Sequence, residues 1–305
     1  MNIFRLLDNP TFYRMMRPII IASYKLRARR FASEKYMADF GRPLNWNHPE
    51  EFNEKLRWLQ FNSDTSMWTL LADKYRVRLY LEEKGMGHLL PELYGVWKRA
   101  EDIDFGSLPE SFVMKGNNGS ADVAIVKEKS KISIDELRGM FGRSLLNVYG
   151  ALAAEMHYWD IPPRIIAEEL LPNDTEGSTT LVDYKFHCFD GVPRVCKVYY
   201  NRDFSTRSAE QAFFDMDFVE HPEWGDSRKV HPVKAEITCP AQWEEMKNVA
   251  AQLSKGFPFV RVDLYVSRNR VWFGEFTFSP AAFSGAGFNH DFLSDEMGKW
   301  LRIDK

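Results

Sequence analysis

Two carboxylates flank a turn near the end of the chain, in Arg261-Val-Asp263-Leu-Tyr-Val-Ser-Arg-Asn269-Arg-Val-Trp-Phe-Gly-Glu275-Phe-Thr277-Phe-Ser279-Pro280. Valine, leucine and aromatic residues fill both arms, which is the composition of a β-hairpin. Folded about Asn269 with a three-residue loop, Asp263 faces Glu275. Arg261 then faces Thr277 on the same side, because strand side chains alternate. Directly opposed carboxylates stand about 5 Å apart and repel unless a cation separates them. Oxygen donors of this kind suit Mg²⁺. Arg261, one pleat away, is placed to stabilise a transferring phosphoryl group. A register slip of one residue would undo the arrangement.

Three other segments carry chemistry. Lys115 leads into Gly116-Asn117-Asn118-Gly119-Ser120. Glycines and asparagines that tolerate positive φ let backbone N–H groups converge on an anion, with Lys115 as a point charge and Ser120 as a hydroxyl donor. The same run also suits an ordinary hairpin turn. Glu168-Glu169-Leu-Leu171 ends a strand and offers carboxylates and backbone edges to a nucleoside, or simply meets solvent. Asp190-Gly191 predicts a two-residue hairpin. That turn sets His187 opposite Arg194 with Lys185 on the same face, a basic stripe suited to polyphosphate or a plain exposed face. It sets Lys197 on the other face and Cys196 opposite Lys185.

Several classes are excluded by pattern. There is no G-x-x-x-x-G-K-[ST], no G-x-G-x-x-G and no G-x-S-x-G. The histidines lack zinc spacing. Cys188, Cys196 and Cys239 form no C-x-x-C pair, which suits a reducing cytoplasm. A net charge of −3 gives no signature of a nucleic-acid binder. The charge is uneven, however. Residues 1–31 hold seven basic side chains and one acid, a net +6, which leaves −9 for the rest. That arm reads either as a solvated packed helix or as a peripheral contact with anionic lipid.

The supporting elements follow from periodicity. Residues 1–108 predict a mainly helical region. One helix begins at Asn47-His-Pro49, with Asn47 as cap. Another runs from Asp73 to a stop at Gly85. Residues 109–175 read as a small module of strands at 112–115, 123–126 and 164–171, with a helix from Ser133 to about Gly150. Residues 176–305 hold the two hairpins and a helix over 242–254. With 45% hydrophobic and 27% charged residues, the chain is an ordinary globular α+β protein.

Taken together, the order and spacing of several motifs resemble the ATP-grasp superfamily, in its TupA-like branch associated with teichuronopeptide and surface-polysaccharide synthesis. They are Leu71-Ala-Asp-Lys-Tyr75, Phe112-Val-Met-Lys-Gly-Asn-Asn-Gly-Ser120, Arg164-Ile-Ile-Ala-Glu-Glu-Leu-Leu171, Asp183-Tyr-Lys-Phe186, Phe259-Val-Arg-Val-Asp-Leu-Tyr265 and Phe273-Gly-Glu-Phe-Thr-Phe-Ser-Pro280. The resemblance implies two α+β modules clasping ATP, preceded by the helical region. It implies that Lys115, Gly116, Asn117, Asn118, Gly119, Ser120 and Lys185 hold ATP phosphates. Glu168 would meet the adenine amino group, and the backbone of Glu169 and Leu171 its ring edge. Arg261 and Lys185 would serve catalysis, Asp263, Glu275 and Thr277 would bind Mg²⁺, and Ser279, with His187 and Arg194, would approach the acceptor. Thr277 stands where superfamily members commonly have Asn, and Asp174 or Glu176 would bind ribose.

The activity so implied is ATP- and Mg²⁺-dependent carboxylate–amine ligation through an acyl phosphate. Its partners would be an amino acid and a uronic acid of a capsular or cell-wall polysaccharide. Two other classes use the same residue types: a glycosyltransferase of polysaccharide biosynthesis, and a non-catalytic nucleotide-binding partner.

Overall fold

The structure is a computed structural model and describes residues 10–303 apart from 121, 204, 205, 207 and 286. The first nine residues of the basic arm therefore lie outside the described residues. In chain order the helices are α1 (Pro10–Phe40), α2 (Phe52–Asn62), α3 (Ser66–Ala72), α4 (Arg76–Glu83), α5 (Ile134–Ser144) and α6 (Trp243–Ser254). The strands are β1 (Leu93–Trp97), β2 (Phe112–Gly116), β3 (Val123–Val126), β4 (Ile165–Glu168), β5 (Asp183–Phe189), β6 (Val192–Asp203), β7 (Ser208–Phe214), β8 (His231–Pro232), β9 (Phe259–Ser267) and β10 (Arg270–Thr277).

The chain divides into two compact units with interleaved segments. The first comprises residues 1–41, 65–80 and 92–170, and the second 42–64, 81–91 and 171–305. The region before residue 109 is thus shared between both.

The first unit is built on a four-stranded antiparallel sheet of order β1-β4-β2-β3. Alternation sends Phe112 and Met114 of β2 to one face, with Ile165 and Ala167 of β4 and Val126 of β3. Phe141 and Leu145 close that core, backed by Leu137 and Met140, a helical stripe. Burying one such phenylalanine contributes about 2–3 kcal/mol. Ser133 starts α5 by accepting a hydrogen bond from the Glu136 amide. The helix stops at Ser144 instead of Gly150, because the amides of Leu146 and Asn147 turn to carbonyls three residues back. The helix expected from Asp73 begins later, at Arg76. Asp73 sits in the break after α3 and accepts the Tyr75 and Arg76 amides.

The second unit holds a six-stranded sheet of order β10-β9-β5-β6-β7-β8, antiparallel except for β7-β8. Even-numbered residues at 184–188 on β5, 196–200 on β6 and 260–264 on β9, such as Phe186, Val198 and Val262, are buried. The helix α6 covers them: Trp243 lies 5.2 Å from the Phe186 ring, and Met246, Ala250 and Leu253 are buried below it. The odd-numbered residues point to the opposite face, and there the charges gather. Within the same unit, α2 starts at Phe52 and not near Asn47. Glu51 and Glu54 form a reciprocal capping box that defines the start.

Candidate functional site

On the open face of the first sheet, β2 and β4 pair so that Val113 faces Glu168 and Lys115 faces Ile166. Lys115 and Glu168 are therefore diagonal neighbours on one side. The Lys115 Nζ lies 2.7 Å from Glu168 Oε2, and Arg78 Nη1 lies 2.9 Å from Oε1. Glu168 is buried yet neutralised from two directions. Arg78 is a residue that sequence reasoning missed, since nothing in its helical surroundings marks it.

The loop after Lys115 does not use the positive φ that its glycines and asparagines would tolerate. None of residues 116–120 has a left-handed backbone. The Gly116 amide bonds to Asp122 O and the Asn117 amide to Arg164 O, so these two donors serve the fold. Asn117, fully buried, ties three segments together. Its Nδ2 donates to Asp73 Oδ1 (2.8 Å) and to Pro162 O (3.1 Å), and its Oδ1 accepts the Arg164 amide (2.6 Å). Asn118 is buried beside it, while Ser120 is exposed and shares a 2.5 Å hydrogen bond with the Tyr149 hydroxyl. Gly119 is needed for close approach: a Cβ there would lie 2.7 Å from the Tyr149 ring. Its carbonyl accepts from Lys74 Nζ at 2.7 Å. At the end of β4, the Glu169 amide is spent on Glu92 O.

On the second sheet, Glu275 pairs with Asp263 and Thr277 with Arg261, the pairing expected from the sequence. The route to it differs. The turn has two residues, Arg268 and Asn269, both at positive φ. A bulge at Gly274 then restores the pairing. A side chain at Gly274 would strike the Tyr265 ring at 2.7 Å, which is why this bulge takes glycine. The cation between the two acids is here Arg261 itself. Its Nε lies 2.6 Å from Asp263 Oδ1, and its Nη2 lies 2.7 Å from Asp263 Oδ2 and 3.2 Å from Glu275 Oε1.

The neighbouring strand β5 brings Lys185 opposite Asp263 and His187 opposite Arg261. The Lys185 Nζ is 2.5 Å from Asp263 Oδ2 and 3.6 Å from Asp183 Oδ1. Asp183 is also held by Arg202 at 2.8 Å. Burial opposes charge on Asp183, but Lys185 and Arg202 outweigh it and lower its pKa. Burial likewise opposes charge on Arg261, yet Asp263 and then Glu275 raise its pKa.

The Asp190-Gly191 turn has two residues, as expected, and Cys188 faces Pro193. A bulge at Arg194 follows, beside a proline that has no N–H to donate to the ladder. Three expectations are corrected by it. His187 faces Val195 rather than Arg194, Cys196 faces Phe186 rather than Lys185, and Lys197 faces Lys185 on the charged side. Arg194 is exposed, with its guanidinium over the Trp300 ring. Pro193 is the signal that could have revealed the shift. Lys197 is buried, its ammonium 4.9–5.5 Å from the rings of Tyr199, Phe213 and Phe288. Burial lowers its pKa, partly offset by Tyr199. Burial, then Arg261 and Lys197, hold the His187 imidazole neutral, well below its ordinary pKa. Its Nδ1 contacts Lys185 O at 3.1 Å.

Of the remaining candidates in this unit, Ser279 is buried just past β10 and Leu171 is buried at the unit's start. Asp174 accepts the Arg268 amide at the hairpin turn. Glu176 is exposed. Thr277 donates to Glu275 Oε1 at 3.3 Å. Among the described residues no three of His, Cys, Asp and Glu gather as a self-sufficient metal site. The Asp263–Glu275 pair nevertheless fits Mg²⁺. Its donors are hard oxygens, a guanidinium already bridges them, and Mg²⁺ needs only one or two carboxylates beside phosphate and water.

Two α+β units, each with one helix-backed sheet face and one face lined by lysine, arginine and carboxylate, define a protein of the ATP-grasp class. The chain belongs to the TupA-like ATP-grasp family, which matches residues 54–301. No curated protein matches it. Among solved structures it is similar to D-alanine–D-alanine ligase from Bacillus anthracis complexed with ATP (19% identity, 69% of this chain and 56% of that one, TM-score 0.40). It is also similar to D-alanine–D-alanine ligase from Helicobacter pylori (18%, 83% and 70%, TM-score 0.44). A third is the ATP-grasp ligase PsnB complexed with a phosphomimetic variant of its minimal precursor, Mg and ADP (14%, 82% and 66%, TM-score 0.40). The chain spans little more than half the length, 56%, of the B. anthracis ligase.

Proposed function

We propose that this protein is an ATP- and Mg²⁺-dependent carboxylate–amine ligase. The observation that carries the reading is the cluster of Lys185, Arg261, Asp263 and Glu275 on one sheet face, in a chain of the ATP-grasp family. Lys115 and Glu168 would receive the nucleotide on the first unit, Lys115 releasing Glu168 to meet phosphate while Arg78 keeps the carboxylate neutralised. The amides of Asn118, Gly119 and Ser120 would complete the phosphate contacts.

A substrate carboxylate oxygen attacks the γ-phosphorus as the bond to ADP breaks, giving an acyl phosphate. An amine then attacks the carbonyl carbon. The C–N bond forms, the C–O bond to phosphate breaks, and the amine's proton passes to solvent or phosphate. Arg261 would turn from Asp263 and Glu275 to the phosphoryl oxygens, where its fixed charge favours the transition state. Lys185 would stay on Asp263 and face the same oxygens. When bound at Asp263 and Glu275, with Thr277 beside them, Mg²⁺ would neutralise phosphate charge. Ser279 would approach the acceptor, and the buried neutral His187 would shape its pocket. The family association supports a uronic acid of a capsular or cell-wall polysaccharide as the carboxylate and an amino acid as the amine. A cytoplasmic site, where ATP is supplied, would suit this reaction.

The test is ADP release with Mg²⁺, a uronate and an amino acid. A protein that binds ATP but releases no ADP with any such pair would sink the ligase reading. A second reading, a non-catalytic nucleotide-binding partner, is favoured by one observation: Thr277 spends its hydroxyl proton on Glu275. Thermal stabilisation by a UDP-sugar but not by ATP would point instead to a glycosyltransferase.

A further inference from the structure

We propose that the outward face of α1 docks on an anionic lipid bilayer. At 100° per residue, Met15, Ile19, Ala22 and Leu26 fall within roughly 60° of arc on this helix. All four are exposed, Leu26 at 89%, Met15 at 65% and Ile19 at 61%. The other side of the helix is already used. Ile21, Ala28, Ala32 and Tyr36 are buried, Arg17 Nη2 donates to Trp159 O at 3.0 Å, and Lys25 pairs with Asp160 at 2.7 Å. The exposed stripe is therefore a second apolar face on a helix whose packing is complete without it.

Charge selects the occupant. Residues 10–33 hold six basic side chains and no acid. Exposed Arg29 and Arg30 bracket the stripe in projection, Arg30 also pairing with Glu34 one turn on at 2.7 Å. Beside it lies a recess of about 400 Å³ lined by Arg14, Arg17 and Lys25 with Trp159 and Asp160, three basic side chains against one acid. An apolar stripe flanked by arginine is what an interfacial helix presents to anionic headgroups and the acyl boundary beneath them. No helix among the described residues is long and apolar enough to cross a membrane, so the contact is one of lying on the surface. This surface is independent of the ligase reading.

The experiment is co-sedimentation of the full chain with vesicles of phosphatidylcholine, alone or with about 30% phosphatidylglycerol, at low and high salt. Binding is expected only to the anionic vesicles, weakening as salt rises. Ile19→Glu/Leu26→Glu should bind at least about tenfold less, and Arg29→Glu/Arg30→Glu should do the same. Both variants should keep the wild-type circular dichroism spectrum and the same thermal shift with ATP. Three results would overturn the proposal: no sedimentation of wild type with anionic vesicles at low salt, equal binding by wild type and both variants, or a wild-type dimer that the apolar variant dissolves without any vesicle binding.

Discussion

Arg261 grips the carboxylate of Asp263, two residues along its own strand, through both Nε and Nη2, at 2.6 and 2.7 Å. Lys185 holds the same carboxylate from the next strand. Asp263→Asn would leave buried Lys185 and half-buried Arg261 facing a neutral amide, with Asp183 and Glu275 left to balance them. We expect it to lose about 3–5 kcal/mol of stability in urea unfolding. On the proposed ligase mechanism, ADP formation should fall about 10³-fold or more, since the substitution disturbs both Arg261 and the proposed metal donors. A folded Asp263→Asn protein with undiminished turnover would remove this residue from the chemistry.

Lys115 and Glu168 make a contrasting pair. Lys115→Met removes the ammonium proposed to donate to phosphate, so the Kd for ATP should rise about ten- to a hundredfold. Stability should change by less than about 1 kcal/mol, because Arg78 still pairs with Glu168. Glu168→Ala leaves Lys115 and Arg78 with no carboxylate between them and should cost about 3 kcal/mol. Titration calorimetry with ATP and urea denaturation separate the two.

Asn117 should behave as a structural residue. Asn117→Ala breaks three hydrogen bonds, one to the Asp73 carboxylate and two to the backbone of Pro162 and Arg164. The expected cost is about 2–4 kcal/mol. Asn117→Asp should be worse, since it sets a second carboxylate against Asp73. A loss of ATP affinity in Asn117→Ala without loss of stability would show a direct ligand role instead.

Lys197 links stability to pH. Its folded pKa is lowered, chiefly by burial, so below 10.5 the unfolded chain holds a proton that the folded chain releases first. Stability contributed by this site therefore rises with pH between the lowered pKa and 10.5, by at most about 1.4 kcal/mol per pH unit. Lys197→Met should flatten that rise and match or exceed wild-type stability at neutral pH. Urea midpoints of both proteins from neutral pH to about pH 10 give the difference directly.

Much of this was legible in residue order. The alternation of Arg261 and Asp263 on one arm, and of Glu275 and Thr277 on the other, with apolar residues located the hairpin and its charged face. Asp190-Gly191 located another turn. What escaped was each bulge. An extra residue at Gly274 cancelled a turn shorter than expected, so the Asp263–Glu275 pairing came out as expected through two compensating differences. At Arg194 nothing compensated, and Lys197 moved to the charged face.

By itself, the sequence determined which residue types lie on alternating strand faces, because period two is a property of the extended backbone. It also carried the order of motifs that marks the family. Only the tertiary structure decided which charges meet. Arg78 reaches Glu168 across ninety residues, and Lys185 reaches Asp263 across seventy-eight. Such pairs are set by which strands and helices pack side by side, which leaves no local trace in the chain, and by single-residue shifts of register, which Pro193 and Gly274 mark only faintly.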